Sequence, residues 1–158
     1  MTRPELTYQD TLDAARRILE TCLVGSMTTV DAQGMPHTRQ MAAVPQDSEL
    51  TRLMSVAARG SRKLDHLAGN AKVCWLFADR HDNEVVTLTG TMRILEDQTL
   101  AEPAWQQLER AARQYSMNLL SEPENLWFVG LETRVETLEY MHPSAGLTHP
   151  VIYPIHHA

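Results

Sequence analysis

The chain has 158 residues, 43% of them hydrophobic, and 14 Lys and Arg against 20 Asp and Glu give a formal net charge of −6. This length fits one domain, residues 1–158, with a core of its own, and the acidic balance argues against general nucleic-acid binding. No apolar run approaches the ~20 residues of a membrane span, Met1-Thr2-Arg3-Pro4-Glu5 lacks the apolar segment of a signal peptide, and Cys22 and Cys74 make no CxxC, so free thiols and a cytoplasmic setting are expected.

In chain order, residues 7–21 read as a helix. Leu12, Ala15, Ile18 and Leu19 share one face, and Thr7 or Asp10 can cap it. Residues 23–30 are strand-like, Asp31-Ala32-Gln33-Gly34 is a hairpin turn, and residues 35–45 return as a strand with Pro36 near its start. After the polar loop 46–49 comes a strand with Leu53, Met54 and Val56. A turn at Gly60 follows, then a short helix with Ser61 as N-cap and Gly69-Asn70 as its stop. Val73, Trp75 and Phe77 alternate on the next strand. Residues 84–95 form a long strand in which threonines alternate with Leu88, Gly90 and Met92, and Gly90 marks a bulge or a close approach. A helix is expected over 97–112, irregular chain over 115–124, and strand from 125 to 141. The proline-bearing tail, 142–158, should be extended.

The chemistry concentrates at the turn before the short helix. Between Thr51 and Leu64 stand Arg52, Arg59, Arg62 and Lys63 with no acidic residue, in a chain that has only two lysines. A hydroxyl, a guanidinium and an ammonium at a helix N-terminus make an anion site, because the free amides and the helix dipole add positive potential there. Spacing alone serves equally well for a solvated basic turn. The tail histidines His142, His149, His156 and His157 lack the regular spacing of a metal site. No Ser-His-Asp set or paired carboxylates can be assembled.

Gly60-Ser61-Arg62-Lys63, followed by a helix, Asn70 and an apolar strand, resembles the FMN-phosphate segment of the pyridoxamine 5′-phosphate oxidase-like split barrels. The resemblance extends upstream to His37-Thr38-Arg39-Gln40-Met41 and downstream to Val85-Val86-Thr87-Leu88-Thr89-Gly90-Thr91-Met92. It implies a mainly β fold with flanking helices, a six-stranded antiparallel split barrel of Greek-key type. It also implies a homodimer with two FMN at its interface. A ferredoxin-like α+β sandwich is the alternative fold.

By the same resemblance, Arg39, Ser61, Arg62 and Lys63 would hold the FMN phosphate, and Gln40, Met41, Val56 and Ala57 would lie along the ring. The implied activity is that of an FMN-dependent oxidoreductase of the general-stress branch, with a small-molecule substrate or a reduced nicotinamide as donor. No side chain need act as acid or base, so no catalytic residue is named. The vitamin-salvage oxidases carry a C-terminal Arg-Leu motif, a threonine where Ala57 stands and a glutamine near Val85. This chain has none of these, which speaks against pyridoxamine phosphate as substrate. A non-catalytic flavin carrier or sensor, and a deazaflavin- or haem-binding relative on the same fold, remain the alternatives.

Overall fold

The computed structural model describes residues 5–97, 102–103, 105–110 and 128–157. In order these form α1 (Tyr8–Thr21), β1 (Val24–Val30), β2 (Pro36–Ala42), β3 (Val44–Pro45), β4 (Arg52–Ala58), α2 (Arg62–Gly69), β5 (Lys72–Asp79), β6 (Glu84–Leu95), β7 (Phe128–His142) and β8 (Leu147–Pro154). A further helical stretch covers 102–103 and 105–110. The expected irregular chain at 115–124, and Trp127, lie outside the described residues.

The strands pair antiparallel in the order β2-β1-β5-β6-β7-β4-β3, and β8 adds to β7. β2 and β3 stand at opposite ends of that order, yet only Ala43 separates them in the chain. The sheet must therefore curl until its ends approach. Ala43 is buried at the seam, and its amide donates to the Leu23 carbonyl at 3.1 Å. The product is an antiparallel half-barrel with flanking helices, the split-barrel class, and not a ferredoxin-like sandwich.

Among the described residues it has eight strands rather than the six expected. β3 is only two residues long, and β8 comes from the proline-bearing tail. Pro150 is tolerated there because β8 pairs on one side alone, with β7, after a 3-10 turn at Pro143–Ala145. β8 also ties down the N-terminus: Tyr153 Oη donates to the Leu6 carbonyl at 2.7 Å, and its ring meets Tyr8 edge-on.

β7 is the long member that makes the split. One edge pairs with β6 along its length, while the other is shared between β4 and β8. The register slips between Thr89 and Gly90, and a Cβ on Gly90 would stand 2.0 Å from the Arg134 carbonyl oxygen. Only glycine admits that approach.

The core lies between the inner sheet face and α1. Leu12, Ala15 and Ile18 of the helix meet Met27, Trp75, Phe77, Leu88, Leu131 and Leu138 of the sheet, all fully buried. α1 begins with a full capping box between Thr7 and Asp10. Trp75 stacks on Phe77, and its indole N–H donates to Thr133 Oγ1 at 3.1 Å. Trp105 stacks on Phe128.

One buried carboxylate joins α1 to the barrel. Glu84, 3% exposed, takes a bidentate pair from Arg17 at 2.7 and 2.8 Å, and Tyr140 Oη donates to it at 2.5 Å. The Arg17 bond holds the Glu84 carboxyl down to about 2, against its burial, with Tyr140 assisting. Burial and the adjacent carboxylate push the Tyr140 phenol up. Removing one partner of a buried pair costs about 3–5 kcal/mol, and half-exposed Arg17 argues for the lower end. Glu84→Ala should therefore lower the melting temperature by about 6–12 °C, at roughly 2–4 °C per kcal/mol for a domain of this size. Because the folded carboxyl titrates below its ordinary 4.5, this stabilisation is complete above that pH and is lost as pH falls toward 2. Melts from pH 6 to pH 2 should show a steeper loss in the parent than in Glu84→Gln, and parallel curves would remove Glu84 from this role.

Candidate functional site

β4 ends at Ala58, and the chain turns at once. The Ser61 amide donates to the Ala58 carbonyl at 3.2 Å, and Gly60 takes φ +78°. The structure sorts the four basic residues of this region into two kinds. Arg52 lies between Asp47 and Glu132, at 3.8 and 3.7 Å, and Arg59 pairs with Glu96 at 3.2 Å. Arg62 and Lys63 open α2, and neither has a carboxylate partner among the described residues.

Ser61 is the N-cap of α2 in extended conformation, but its side chain makes no cap hydrogen bond. Its Oγ is buried without any partner. Such an orphaned group costs about 1–3 kcal/mol, a cost that a ligand oxygen would remove.

Arg39 joins Arg62 and Lys63 from β2. Burial, and then the charge of Arg62, push the Arg39 guanidinium below its ordinary value. Burial, and then Arg39, push the Lys63 ammonium down likewise. Arg39 is thus near both cations at the N-terminus of α2, and none of the three has a carboxylate partner among the described residues. The charged forms of Arg39 and Lys63 are disfavoured as they stand, and a bound anion would reverse that. A planar fork, a point charge and a free hydroxyl together suit a phosphate.

A polar chain lies beneath this cluster. Arg39 Nη1 donates to Thr29 Oγ1 at 2.8 Å and, less closely, to the Met27 carbonyl at 3.4 Å. Thr29 Oγ1 lies 2.9 Å from His66 Nδ1 of α2. The His66 ring packs against His37, with centroids 4.8 Å apart, and His37 Nε2 meets Asp31 Oδ2 at 2.8 Å. The sequence pattern assigned none of Thr29, Asp31, His37 and His66 to the site, although Asp31 stood in the hairpin turn and His37 in the segment of Arg39. Two signals were present: His37 precedes Arg39 by two on a strand, and His66 follows Arg62 by four on a helix. Both spacings put residues on one face.

The other expected site residues do not gather side by side. On β2, Met41 turns with Arg39 toward the core, whereas Gln40 is on the opposite face, where its amide donates to Ser26 Oγ at 2.9 Å. On β4, Ala57 is buried in the main core, while neighbouring Val56 packs with Leu23 and Leu108 in a separate cluster. The pleat separates each pair, so only one member of each can offer its side chain to a single ligand face. Of the tail histidines, His142 faces Glu84 at 3.4 Å and His157 Nε2 meets the Val135 carbonyl at 2.6 Å. Among the described residues, no helix is long and apolar enough to cross a membrane.

Comparison with known proteins matches this architecture. Several solved structures share the fold. A protein from Clostridium acetobutylicum related to general stress protein 26 superposes with a TM-score of 0.75 at 18% identity, over 94% of this chain and 97% of that one. General stress protein 26 from Bacillus anthracis gives a TM-score of 0.68 at 21% identity, over 90% and 97%. A structure described as an F420 reductase gives 0.63 at 20% identity, over 78% and 94%. At these identities the likeness is one of fold. No curated protein matches the sequence. The sequence model of the pyridoxamine 5′-phosphate oxidase family matches residues 11–142, which takes in most of α1, the basic turn, α2 and all of β7. The chain belongs to the pyridoxamine 5′-phosphate oxidase family.

Proposed function

We propose that the protein binds FMN and acts as an FMN-dependent oxidoreductase. One observation carries the reading: Arg39, Arg62 and Lys63 form a cationic cluster without a counter-ion, beside the buried, unpartnered Ser61 hydroxyl. These four residues would hold the phosphate of the flavin. Of the ring-side candidates, Ala57 and Met41 share the inward face of their strands with this cluster, while Gln40 and Val56 would contribute backbone alone. Bound FMN supplies the electron and hydride transfer, and the chain supplies grip, orientation and exclusion of water.

Family membership supports a flavin, and the general-stress relatives share the fold. The F420 reductase shares it too, so the spectrum of the purified protein is the first discriminator between flavin and deazaflavin. Turnover of a reduced nicotinamide onto an acceptor then separates an oxidoreductase from a flavin carrier.

Lys63→Ala and Arg62→Ala should each raise the FMN dissociation constant roughly tenfold to a hundredfold. A charge-assisted hydrogen bond contributes about 1.5–3 kcal/mol. The apo proteins should melt within about 0.5 kcal/mol of the parent, since each substitution relieves repulsion and breaks no ion pair. Arg80→Ala, in the exposed turn between β5 and β6, is the control and should bind like the parent. Fluorescence quenching of FMN on all three variants checks this. Parent-like binding by both Lys63→Ala and Arg62→Ala would return the turn to a solvated basic surface.

The same reading assigns a second copy of the chain to complete the flavin site. An uncharged row runs in register across four strands of the outer face: Gln40, Ser26, Leu76 and Thr87. Leu76 at its centre is 40% exposed. Closed twofold dimers are the commonest oligomers, and such a face suits self-association. Light scattering at micromolar concentration should give a dimer, and Leu76→Arg should give a monomer. A monomeric parent in the presence of FMN would sink the shared site.

A further inference from the structure

Three like charges do not assemble unaided, and the structure shows what draws them together. Arg39 comes from β2 and Arg62 and Lys63 from α2, and β1 both pairs with β2 and packs against α2. Thr29 of β1 is 0% exposed, so its hydroxyl cannot turn to bulk water. Arg39 is an obligatory donor, and at 2.8 Å it uses Thr29 Oγ1 as acceptor. The hydroxyl hydrogen then needs an acceptor of its own. His66 Nδ1, 2.9 Å away, is the side-chain acceptor in reach among the described residues. His66 Nδ1 is therefore unprotonated and the ring proton sits on Nε2. The alternative, an Nδ1–H donating to Thr29, would leave a buried hydroxyl hydrogen without a partner.

We propose that Thr29 and His66 are positioning residues that lock Arg39 of β2 to helix α2, by a one-directional chain Arg39→Thr29→His66, and so set the geometry of the anion site. The inference rests on the reading that this cluster takes the FMN phosphate. The chain spans the two elements that carry the cations, so it fixes the distance between them before any ligand arrives. His66 is itself held in place. Its ring packs on His37, 4.8 Å between centroids and tilted by 36°, and His37 is fixed by Asp31. Asp31 is fixed in turn, because its other carboxylate oxygen accepts from the Gln33 and Met35 amides at 2.9 and 2.8 Å. The His37 bond and these amides, led by His37, hold the Asp31 carboxyl below its usual range. The hairpin turn between β1 and β2 is thereby coupled to the anion site at the N-terminus of α2.

The test uses the full chain in two independent arms. The first needs no ligand. Nitrogen-15 NMR of the imidazoles in the apo protein should show His66 as the Nε2–H tautomer, and Thr29→Val should change the His66 pattern. An Nδ1–H tautomer in the parent overturns the chain. The second arm measures FMN and inorganic phosphate binding to Thr29→Val, Thr29→Ser, His66→Leu and His66→Asn, with melts of each. Thr29→Val and His66→Leu should weaken FMN binding about tenfold. Thr29→Ser keeps the hydroxyl, and His66→Asn offers an amide oxygen near the Nδ1 position, so both should restore most of the affinity. In an Arg39→Ala background Thr29→Val should have no further effect, whereas in an Arg62→Ala background it should still act. A purely structural role would weaken both backgrounds alike and would not distinguish His66→Asn from His66→Leu, and either result overturns the proposal. If the parent binds FMN and the Thr29 and His66 variants bind equally well, positioning fails and the phosphate reading stands. If the parent binds neither FMN nor phosphate, both fail.

Discussion

Arg39, Arg62 and Lys63 repel one another, and the fold nonetheless holds them at one helix N-terminus. Elsewhere in the same segment the protein neutralises its basic residues, giving Arg52 and Arg59 carboxylate partners. The difference is one of construction rather than composition. In a chain of net charge −6 there is no shortage of carboxylates, yet none among the described residues reaches the cluster. Burial first, and then a neighbouring cation, depress the ionisation of Arg39 and Lys63, and charges left uncompensated in this way keep a standing attraction for anions.

The rest of the structure can be read as the support for that arrangement. The half-barrel curls because Ala43 alone links the strands at opposite ends of the sheet order. β2, with Arg39, pairs with β1 in the same wall as β5. The short turn at Gly60 returns the chain from β4 into α2, so that the first turn of the helix faces that wall. Glu84 ties α1 to β6 and β7 on another side of the barrel, leaving the strand that carries Thr29 free to serve α2. Binding energy at such a site depends on donors being in place beforehand, since a ligand then has no ordering to supply.

Much of this was legible in the sequence, for identifiable reasons. Helix α1 and strand β6 showed clean periodicities, and Gly90 announced the register slip, at which Glu136 of β7 is passed over in the pairing. The ordered set Arg39, Ser61, Arg62 and Lys63 was visible as residue types at particular turns. The strand count was not. β3 is too short to carry a pattern, and the prolines of the tail hid β8, whose pairing depends on a free edge of β7 rather than on its own alternation. The partner of the Trp75 indole, Thr133, was not legible because it stands 58 residues away. The Thr29–His66 link was hidden for the same reason: nothing local relates a threonine of β1 to a histidine of α2. Strand alternation also decides what the motif could not, that Gln40 and Val56 present their side chains away from the faces used by Met41 and Ala57.

The account turns on the phosphate being what the cationic cluster grips. The most direct measurement is the ratio of dissociation constants for FMN and riboflavin, which differ by that phosphate alone, taken across a range of salt concentrations. The account predicts that FMN binds at least about tenfold more tightly at low salt. Its advantage should narrow as salt screens the exposed Arg62 and the half-buried Lys63 and Arg39. Equal affinities for the two flavins at low salt would contradict it.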